Sequence, residues 1–293
     1  MASQETWTIG RLIRWAAGYL EGYGVESPRL SGELLLAQVL DCPRVELYLR
    51  FDQPLTPAEL AAFKELILRR RRHEPVAYIL GRREFYGLEL AVGPGVLVPR
   101  PETEHLVERA LQALEGRENP RVLDLCTGCG AVALALARER EDAQVVGVDI
   151  SAQALEYARA NARKLGLADR VHWHQGSLWE PLAAAGGFFE LITANPPYVA
   201  EDQWDGLPPQ VREFEPRLAL DGGHDGLDLI RDIIGGARAF LRAGAWLLLE
   251  LGQGQARAAA GLARAAGVFD KIESARDLAG VERVLACRRG DYG

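Results

Sequence analysis

This chain of 293 residues lacks any apolar run long enough to cross a bilayer, so a membrane-spanning helix is not expected. It also lacks surplus positive charge. Lys and Arg total 34 against 41 Asp and Glu, giving a net charge of −7 and a pI of ≈ 5.4. A diffuse grip on nucleic acid needs a basic face that releases counterions, so direct nucleic-acid binding is not expected. The deficit is local: residues 1–98 carry 12 basic and 12 acidic residues, and the remainder carries the whole −7. The opening Met-Ala-Ser-Gln-Glu-Thr-Trp has no basic stretch leading into an apolar one, so a signal peptide is not expected. Cysteine is scarce. Cys42, Cys126, Cys129 and Cys287 are expected to be reduced thiols in the cytoplasm. Cys126 and Cys129 form a C-x-x-C without a second pair at metal spacing or a thioredoxin-like context. They read as small residues in a close-packed loop. His172 and His174 alternate on one strand face without further ligands, so no metal is expected. What remains, 48% hydrophobic and 26% charged, is ordinary for a globular protein.

The first 80 or so residues read as helices. Thr8 caps one that runs to about Glu21, with Ile9, Leu12, Ile13, Ala16 and Leu20 on one face. Ser27-Pro28 reads as an N-cap with proline in the first helical position, opening a helix to about Leu40. Thr56-Pro57-Ala58-Glu59 is a capping box, and its helix ends in four arginines, Arg69–Arg72, that complement the helix dipole. From Glu84 to Val98 the pattern turns β-like. Phe85–Val92 and Val96–Val98 flank Gly93-Pro94-Gly95, which predicts a hairpin turning at the glycines. Beyond residue 105 strands and helices alternate, the mark of a doubly wound, mainly parallel α/β sheet. The stretch from Ala200 to about Gly226 is long for a loop, which points to function.

The most informative segment is Asn195-Pro196-Pro197-Tyr198. It follows the β-prone run Phe188–Ala194, and two prolines, having no N–H for a ladder, end that strand. Asn195 is thereby left at a strand's carboxyl end, where open α/β sheets bind ligands. A carboxamide and one or two rigid carbonyls there can accept both hydrogens of a substrate NH2, which suits methylation of a planar, weakly nucleophilic nitrogen.

A second constellation lies upstream. Strand Val122–Leu125 runs into Cys126-Thr127-Gly128-Cys129-Gly130 and a helix, and the glycines allow close approach of a ligand. A second strand ends at Asp149, where a carboxylate can accept both ribose hydroxyls. The two features suit an adenosine-containing cofactor, and Gly128-x-Gly130-x-x-Ala133 also passes as a loose dinucleotide fingerprint. Asp124, just ahead of the loop, favours the cationic S-adenosylmethionine over a pyrophosphate. The Asn195 segment, which a dehydrogenase does not need, favours it too.

With these segments in order, the chain resembles the HemK/PrmC family, the S-adenosylmethionine-dependent methyltransferases of peptide-chain release factors. The resemblance spans nearly the whole chain. It rests on His73–Gly81, Val98-Pro99-Arg100-Pro101-Glu102-Thr103-Glu104, Leu123–Gly130, Val148–Ser151, Asn195–Tyr198, Glu215–Gly223, Asp225–Leu227, Glu250–Gly252 and Asp277–Val284. It implies a helical substrate-docking domain over 1–82 and a β-hairpin linker over 83–98. A Rossmann-like, seven-stranded class I methyltransferase domain is implied over 99–293. It implies methylation of the glutamine N5 in the Gly-Gly-Gln motif of class I release factors, with S-adenosylhomocysteine as product. Asn195, Pro196, Pro197 and Tyr198 are expected to be catalytic and to bind substrate together with Arg100 and Glu102. Asp124, Cys126, Thr127, Gly128, Cys129, Gly130, Asp149 and Asn195 are expected at the cofactor. Two departures stand out. Cys126 occupies a usual glycine position. Gln175-Gly176-Ser177-Leu178-Trp179 replaces the usual aspartate and aromatic, so Ser177, Leu178 and Trp179 are expected to frame the adenine. The rival readings are a glutamine methyltransferase of a ribosomal protein and an adenine-N6 nucleic-acid methyltransferase, which shares Asn-Pro-Pro-Tyr. Further off are a non-catalytic cofactor-binding module and an NAD-dependent oxidoreductase.

Overall fold

The computed structural model describes residues 6–182 and 187–291. The chain divides into two compact units, Met1–Arg82 with Pro208–Phe214, and Arg83–Leu207 with Glu215–Gly293. Short Pro208–Phe214 thus counts with the first unit, which a linear division of the sequence does not anticipate.

The first unit is helical: α1 (Ile9–Glu21), α2 (Pro28–Val39), α3 (Arg44–Leu49), α4 (Pro57–Arg70) and α5 (Val76–Leu80). Thr8 Oγ1 accepts from the Arg11 N–H at 3.3 Å, and the predicted face Ile9, Leu12, Ile13, Ala16 and Leu20 is buried. The capping box at α4 is complete: Thr56 Oγ1 accepts from Glu59 N–H, and Glu59 Oε2 accepts from Thr56 N–H at 2.7 Å. Ser27 departs from expectation. It precedes α2, but its backbone is left-handed, with φ of 47°, and it makes no capping bond. Two charged residues lie in this interior. Glu33 accepts from Arg29 Nε at 2.9 Å and from Tyr48 Oη at 2.5 Å. Arg70, 2% exposed, donates to Ser31 Oγ, to the carbonyls of Glu26, His73 and Glu74, and to Gln210 Oε1 at 2.8 Å.

The hairpin comprises β1 (Arg82–Phe85) and β2 (Leu88–Ala91). Its turn is Tyr86-Gly87, with φ of 48° and 70°, not Gly93-Pro94-Gly95. Two successive positive-φ residues match the twist of paired strands, and the Tyr86 N–H is held by Glu104 Oε1 at 3.0 Å. The Gly-Pro-Gly stretch serves packing instead. Gln153 Nε2 donates to the Pro94 carbonyl, and a β-carbon at Gly95 would stand 2.2 Å from the Gln153 side chain.

The second unit continues through α6 (Glu104–Ala113), β3 (Arg121–Leu125), α7 (Ala131–Glu139), β4 (Gln144–Asp149), α8 (Ala152–Lys164), β5 (Val171–Gln175) and β6 (Phe189–Ala194). It ends with α9 (Asp228–Ala237), β7 (Leu241–Glu250), α10 (Ala256–Ala265), β8 (Phe269–Arg276) and β9 (Glu282–Arg289). The seven strands form one sheet in the order β5-β4-β3-β6-β7-β9-β8. The strands β3–β7 are parallel, and β9 runs antiparallel to both β7 and β8. Strand order runs one way from β3 to β5 and the other way from β6 to β7. Right-handed crossovers therefore send α7 and α8 to one face and α9 to the other. The central strands are apolar on both faces: Leu123 and Ile192 on one face and Val122 and Leu191 on the other are fully buried. The order reverses between β3 and β6, which opens a crevice at their carboxyl ends.

Candidate active site

A cavity of ≈ 650 Å³ occupies that crevice, a size suited to a cofactor. Its lining takes Asp124 from β3, Cys126, Thr127, Gly128 and Cys129 from the following loop, Asp149 from the end of β4, and Asn195 and Pro197 from the end of β6. Ser177 and Leu178 line it as well. Ten residues are thus brought together by the ends of four adjacent strands, β5, β4, β3 and β6.

The acids differ in how they are held. Asp124 is 2% exposed, and both its oxygens accept hydroxyls, from Thr127 at 2.6 Å and Thr193 at 2.7 Å. Burial pushes its carboxyl up to about 6, against the pull of those two bonds. A buried carboxylate with no cation nearby is a ready partner for a positively charged ligand. Asp149 accepts Gly128 N–H and Ser151 N–H, both at 2.8 Å, which fixes the carboxylate at the cavity wall. Burial raises this carboxyl too. Fixed in this way, it suits paired hydroxyls. Cys126 holds φ 55° with its side chain at the cavity, and burial pushes its thiol, like that of Cys129, well above the ordinary range. Both are therefore neutral packing residues.

Not every expected residue reaches the cavity. Gly130 does not line it. Its φ of 84° and the Trp173 ring explain the glycine, since a β-carbon would stand 2.8 Å from that ring. Trp179 is turned away: it stacks on Phe240 with centroids 4.9 Å apart and donates Nε1–H to the Asp232 carbonyl. It offers the cavity no aromatic plate. Apolar Ile150, which sequence reading passed over, lines the cavity next to Asp149. Its only signal was its position after the strand-ending aspartate.

On the other wall, Asn195 is half-buried and donates Nδ2–H to Thr103 Oγ1 at 3.2 Å. Pro196 is buried and Tyr198 half-buried behind the cavity rather than in its lining. The Tyr198 carbonyl accepts from Gln255 Nε2 at 2.9 Å, and the same amide reaches the Gly226 carbonyl at 3.2 Å. Burial, helped by Glu250, pushes the Tyr198 phenol up to about 12, so it stays neutral. The long segment after it is fastened at its base, where Val199 N–H donates to the Leu220 carbonyl and Gly222 N–H to the Val199 carbonyl, each at 2.9 Å. Arg100 and Glu102 also miss the lining. Arg100 pairs with Glu215 at 2.7 Å, and Glu215 also accepts from Val98 N–H. That tie fastens the Pro99–Thr103 segment, which brings Thr103 to Asn195. Thr103 stood inside the motif quoted from the sequence, but nothing there singled it out, because its partner lies 92 residues away.

Known proteins resemble the chain at two levels. The family model of the PrmC N-terminal domain matches residues 11–81, and that of a methyltransferase domain matches residues 122–213. Across 98% of both chains the sequence is 46% identical to a release factor glutamine methyltransferase of Geobacter sulfurreducens. Across 97% of both it is 42% identical to one of Rhodopirellula baltica. Among solved structures, a methyltransferase from Pyrococcus furiosus aligns with a TM-score of 0.52 at 17% identity, over 70% of this chain and 90% of that one. The hMettl16 catalytic domain, solved with an RNA hairpin, aligns with a TM-score of 0.56 at 17% identity, over 80% and 81%. Likeness at that identity speaks for the fold alone.

Proposed function

We propose, because the chain belongs to the release factor glutamine methyltransferase family, that it methylates the glutamine side-chain nitrogen of the Gly-Gly-Gln motif in class I release factors. The methyl donor is S-adenosylmethionine, which supplies a sulfonium methyl carbon as the electrophile. The cavity's chemistry fits it. Asp124 faces the cationic methionine part with the Thr127 and Gly128 loop. Asp149 accepts the ribose hydroxyls, and Ile150, Ser177 and Leu178 frame the base.

One observation carries the reading of the substrate side. Asn195 lines the cavity with Nδ2 committed to Thr103, so its Oδ1 is the atom available to a second amide. An amide nitrogen is a poor nucleophile because its lone pair is delocalised into the carbonyl. Asn195 Oδ1 and the Pro196 carbonyl each accept one N–H of the substrate glutamine and hold its nitrogen toward the methyl. As the N–C bond forms and the S–C bond breaks, positive charge grows on that nitrogen, and the two fixed dipoles favour it. Orientation contributes several kcal/mol more, within the ~7–11 that it can supply at best. The proton leaves to solvent after transfer, when the nitrogen is strongly acidic. Tyr198, neutral and behind the motif, backs the Asn195–Pro197 segment, with its carbonyl held by Gln255.

Residues 1–82 dock the intact protein substrate. Deleting them is expected to raise KM for a release factor far more than for a short Gly-Gly-Gln peptide. The decisive test is mass spectrometry of a release factor incubated with the protein and S-adenosylmethionine. A mass gain of one methylene on the Gly-Gly-Gln glutamine is expected. Transfer instead to a ribosomal protein or to adenine would overturn the reading.

A further inference from the structure

The cofactor cavity has a second wall that the motifs did not point to. Gly95, Val96, Leu97 and Pro99, from the segment after the hairpin, line it together with the loop of residues 126–129. The two walls meet where Val96 Cγ2 lies 3.9 Å from the place a Gly128 β-carbon would take. One face of α8 carries this segment. Gln153, Tyr157, Asn161 and Lys164 recur three or four residues apart, which puts them in one row. Gln153 Nε2 donates to the Pro94 carbonyl at 2.8 Å, and the Tyr157 hydroxyl leaves no room for a β-carbon at Gly93. Lys164 Nζ reaches the Glu89 carboxylate at 2.7 Å.

Asn161 differs from its neighbours in the row. It is 0% exposed, and both hydrogens of its carboxamide are used. Oδ1 accepts from Ala91 N–H at 2.7 Å, and Nδ2 donates to the Ala91 carbonyl at 3.1 Å and to the Cys129 carbonyl at 3.0 Å. The side chain thus pairs with Ala91 as a neighbouring strand would, and gives its second hydrogen to the cofactor loop. An aspartate there could only accept, and a leucine could do neither. Cys129 lines the cavity, and the residues before it are held in turn. Gly128 N–H donates to Asp149 Oδ2 at 2.8 Å and Thr127 N–H to the Val148 carbonyl at 3.0 Å. One buried carboxamide therefore grips both walls from behind.

We propose that Asn161 is a positioning residue for the cofactor. By tying the loop of residues 126–129 to the segment that runs from Ala91 to Pro99, it sets the gap between the two walls. The proposal rests on the reading of that cavity as the S-adenosylmethionine site. Asn161 does not itself line the cavity, so its effect on binding runs through the walls.

The experiment measures S-adenosylhomocysteine affinity by calorimetry in the full-length protein, at a temperature where circular dichroism shows each variant folded. Asn161→Leu keeps the bulk and loses all three bonds. Asn161→Asp keeps the acceptor and loses both donations. Each is expected to weaken binding roughly 10–100-fold, as loss of a group that orients ligand-holding residues does. Gln153→Ala, which loosens only the exposed end of the row, is expected to change it by less than about threefold. Asn161 variants that melt earlier yet bind as the wild type does would show a role in stability alone and overturn the proposal. A loss in Gln153→Ala equal to that in Asn161→Leu would overturn it as well. A second measurement needs no variant. In amide hydrogen exchange of the wild type, Ala91 N–H and Gly128 N–H are expected to open together and to be slowed together by S-adenosylhomocysteine, because one side chain links them. Slowing of Gly128 alone, with Ala91 opening at a separate rate, sinks the coupling. If the wild type takes up no S-adenosylhomocysteine, the cofactor reading fails, while joint or separate opening of the two amides still decides whether Asn161 couples the walls.

Discussion

The two units bury charge in opposite ways. In the helical unit, burial pushes the Glu33 carboxyl up, but hydrogen bonds from Tyr48 and Arg29 outweigh it and leave the group below its ordinary range. Arg70 is surrounded by five acceptors, though burial still lowers its guanidinium from the ordinary range. In the methyltransferase unit, burial wins. Asp124, with two hydroxyls as its hydrogen-bonding side chains, is pushed up to about 6, and Glu250 to about 7. A charge fully matched by its own fold has nothing left for a ligand. A charge kept short of partners costs stability until something else supplies them, and such groups cluster at functional sites.

The strongest way to break this contrast is Asn195→Ala. We expect methyl transfer to fall roughly 10²–10³-fold while S-adenosylhomocysteine still binds, as for loss of one preorganised polar group. Wild-type turnover by this variant would remove the chemistry from the second unit's best candidate.

Arg70→Met tests the other side. Removing a buried cation from matched acceptors is expected to destabilise the helical unit by about 3–5 kcal/mol, read as an earlier first transition in calorimetry. Turnover of a Gly-Gly-Gln peptide should hardly change.

Asp124→Asn is expected to do the reverse. The sign follows from linkage. Asp124 and Glu250 have folded values above their ordinary 3.8 and 4.5, so the folded state binds protons more tightly. Their contribution to stability therefore rises as pH falls from about 7 toward the ordinary values. Glu33 behaves oppositely, since its contribution is present above its ordinary value and is lost as pH falls through its lowered one. Without cofactor, the methyltransferase unit should melt later at pH ~5 than at pH ~8, and the helical unit should not. Asp124→Asn should stabilise the cofactor-free protein at pH ~8 by about 1–3 kcal/mol and weaken S-adenosylmethionine binding roughly tenfold, measured by calorimetry. A variant that melts earlier and binds equally well would contradict the role given to this carboxylate.

The smallest effect separates two helix starts that look alike in sequence. Thr56→Ala loses a complete capping box and is expected to cost about 1 kcal/mol by urea denaturation. Ser27→Ala, with no capping bond to lose, should stay within about 0.5 kcal/mol of wild type. Equal losses would mean that Ser27 caps its helix in solution.

The contrast in buried charge was not legible in the sequence, whereas much of the fold was. Local signals were read well: the Thr8 and Thr56 caps, the alternation of strands and helices, and the strand stopped by two prolines. Signals that compete were misread. Gly93-Pro94-Gly95 looks like a stronger turn than Tyr86-Gly87, yet the chain reverses at Tyr86, because Glu104 holds that N–H while Gln153 packs on Pro94 and Gly95 and Tyr157 on Gly93. Gly130 was read as a cofactor glycine, and its real constraint is Trp173 on β5. Trp179 was read as an adenine plate, and Phe240 takes its face instead. In each case the deciding partner is distant in the chain.

The sequence by itself determined the element order, the parallel sheet and which strand ends carry acids and the Asn-Pro-Pro-Tyr segment, because these depend on periodicity, capping and proline, which act within a few residues. Only the tertiary structure decided which way each polar group faces. Asn195 turns its Nδ2–H to Thr103 Oγ1, brought to it from 92 residues away, since a hydrogen bond has a direction that no local pattern encodes.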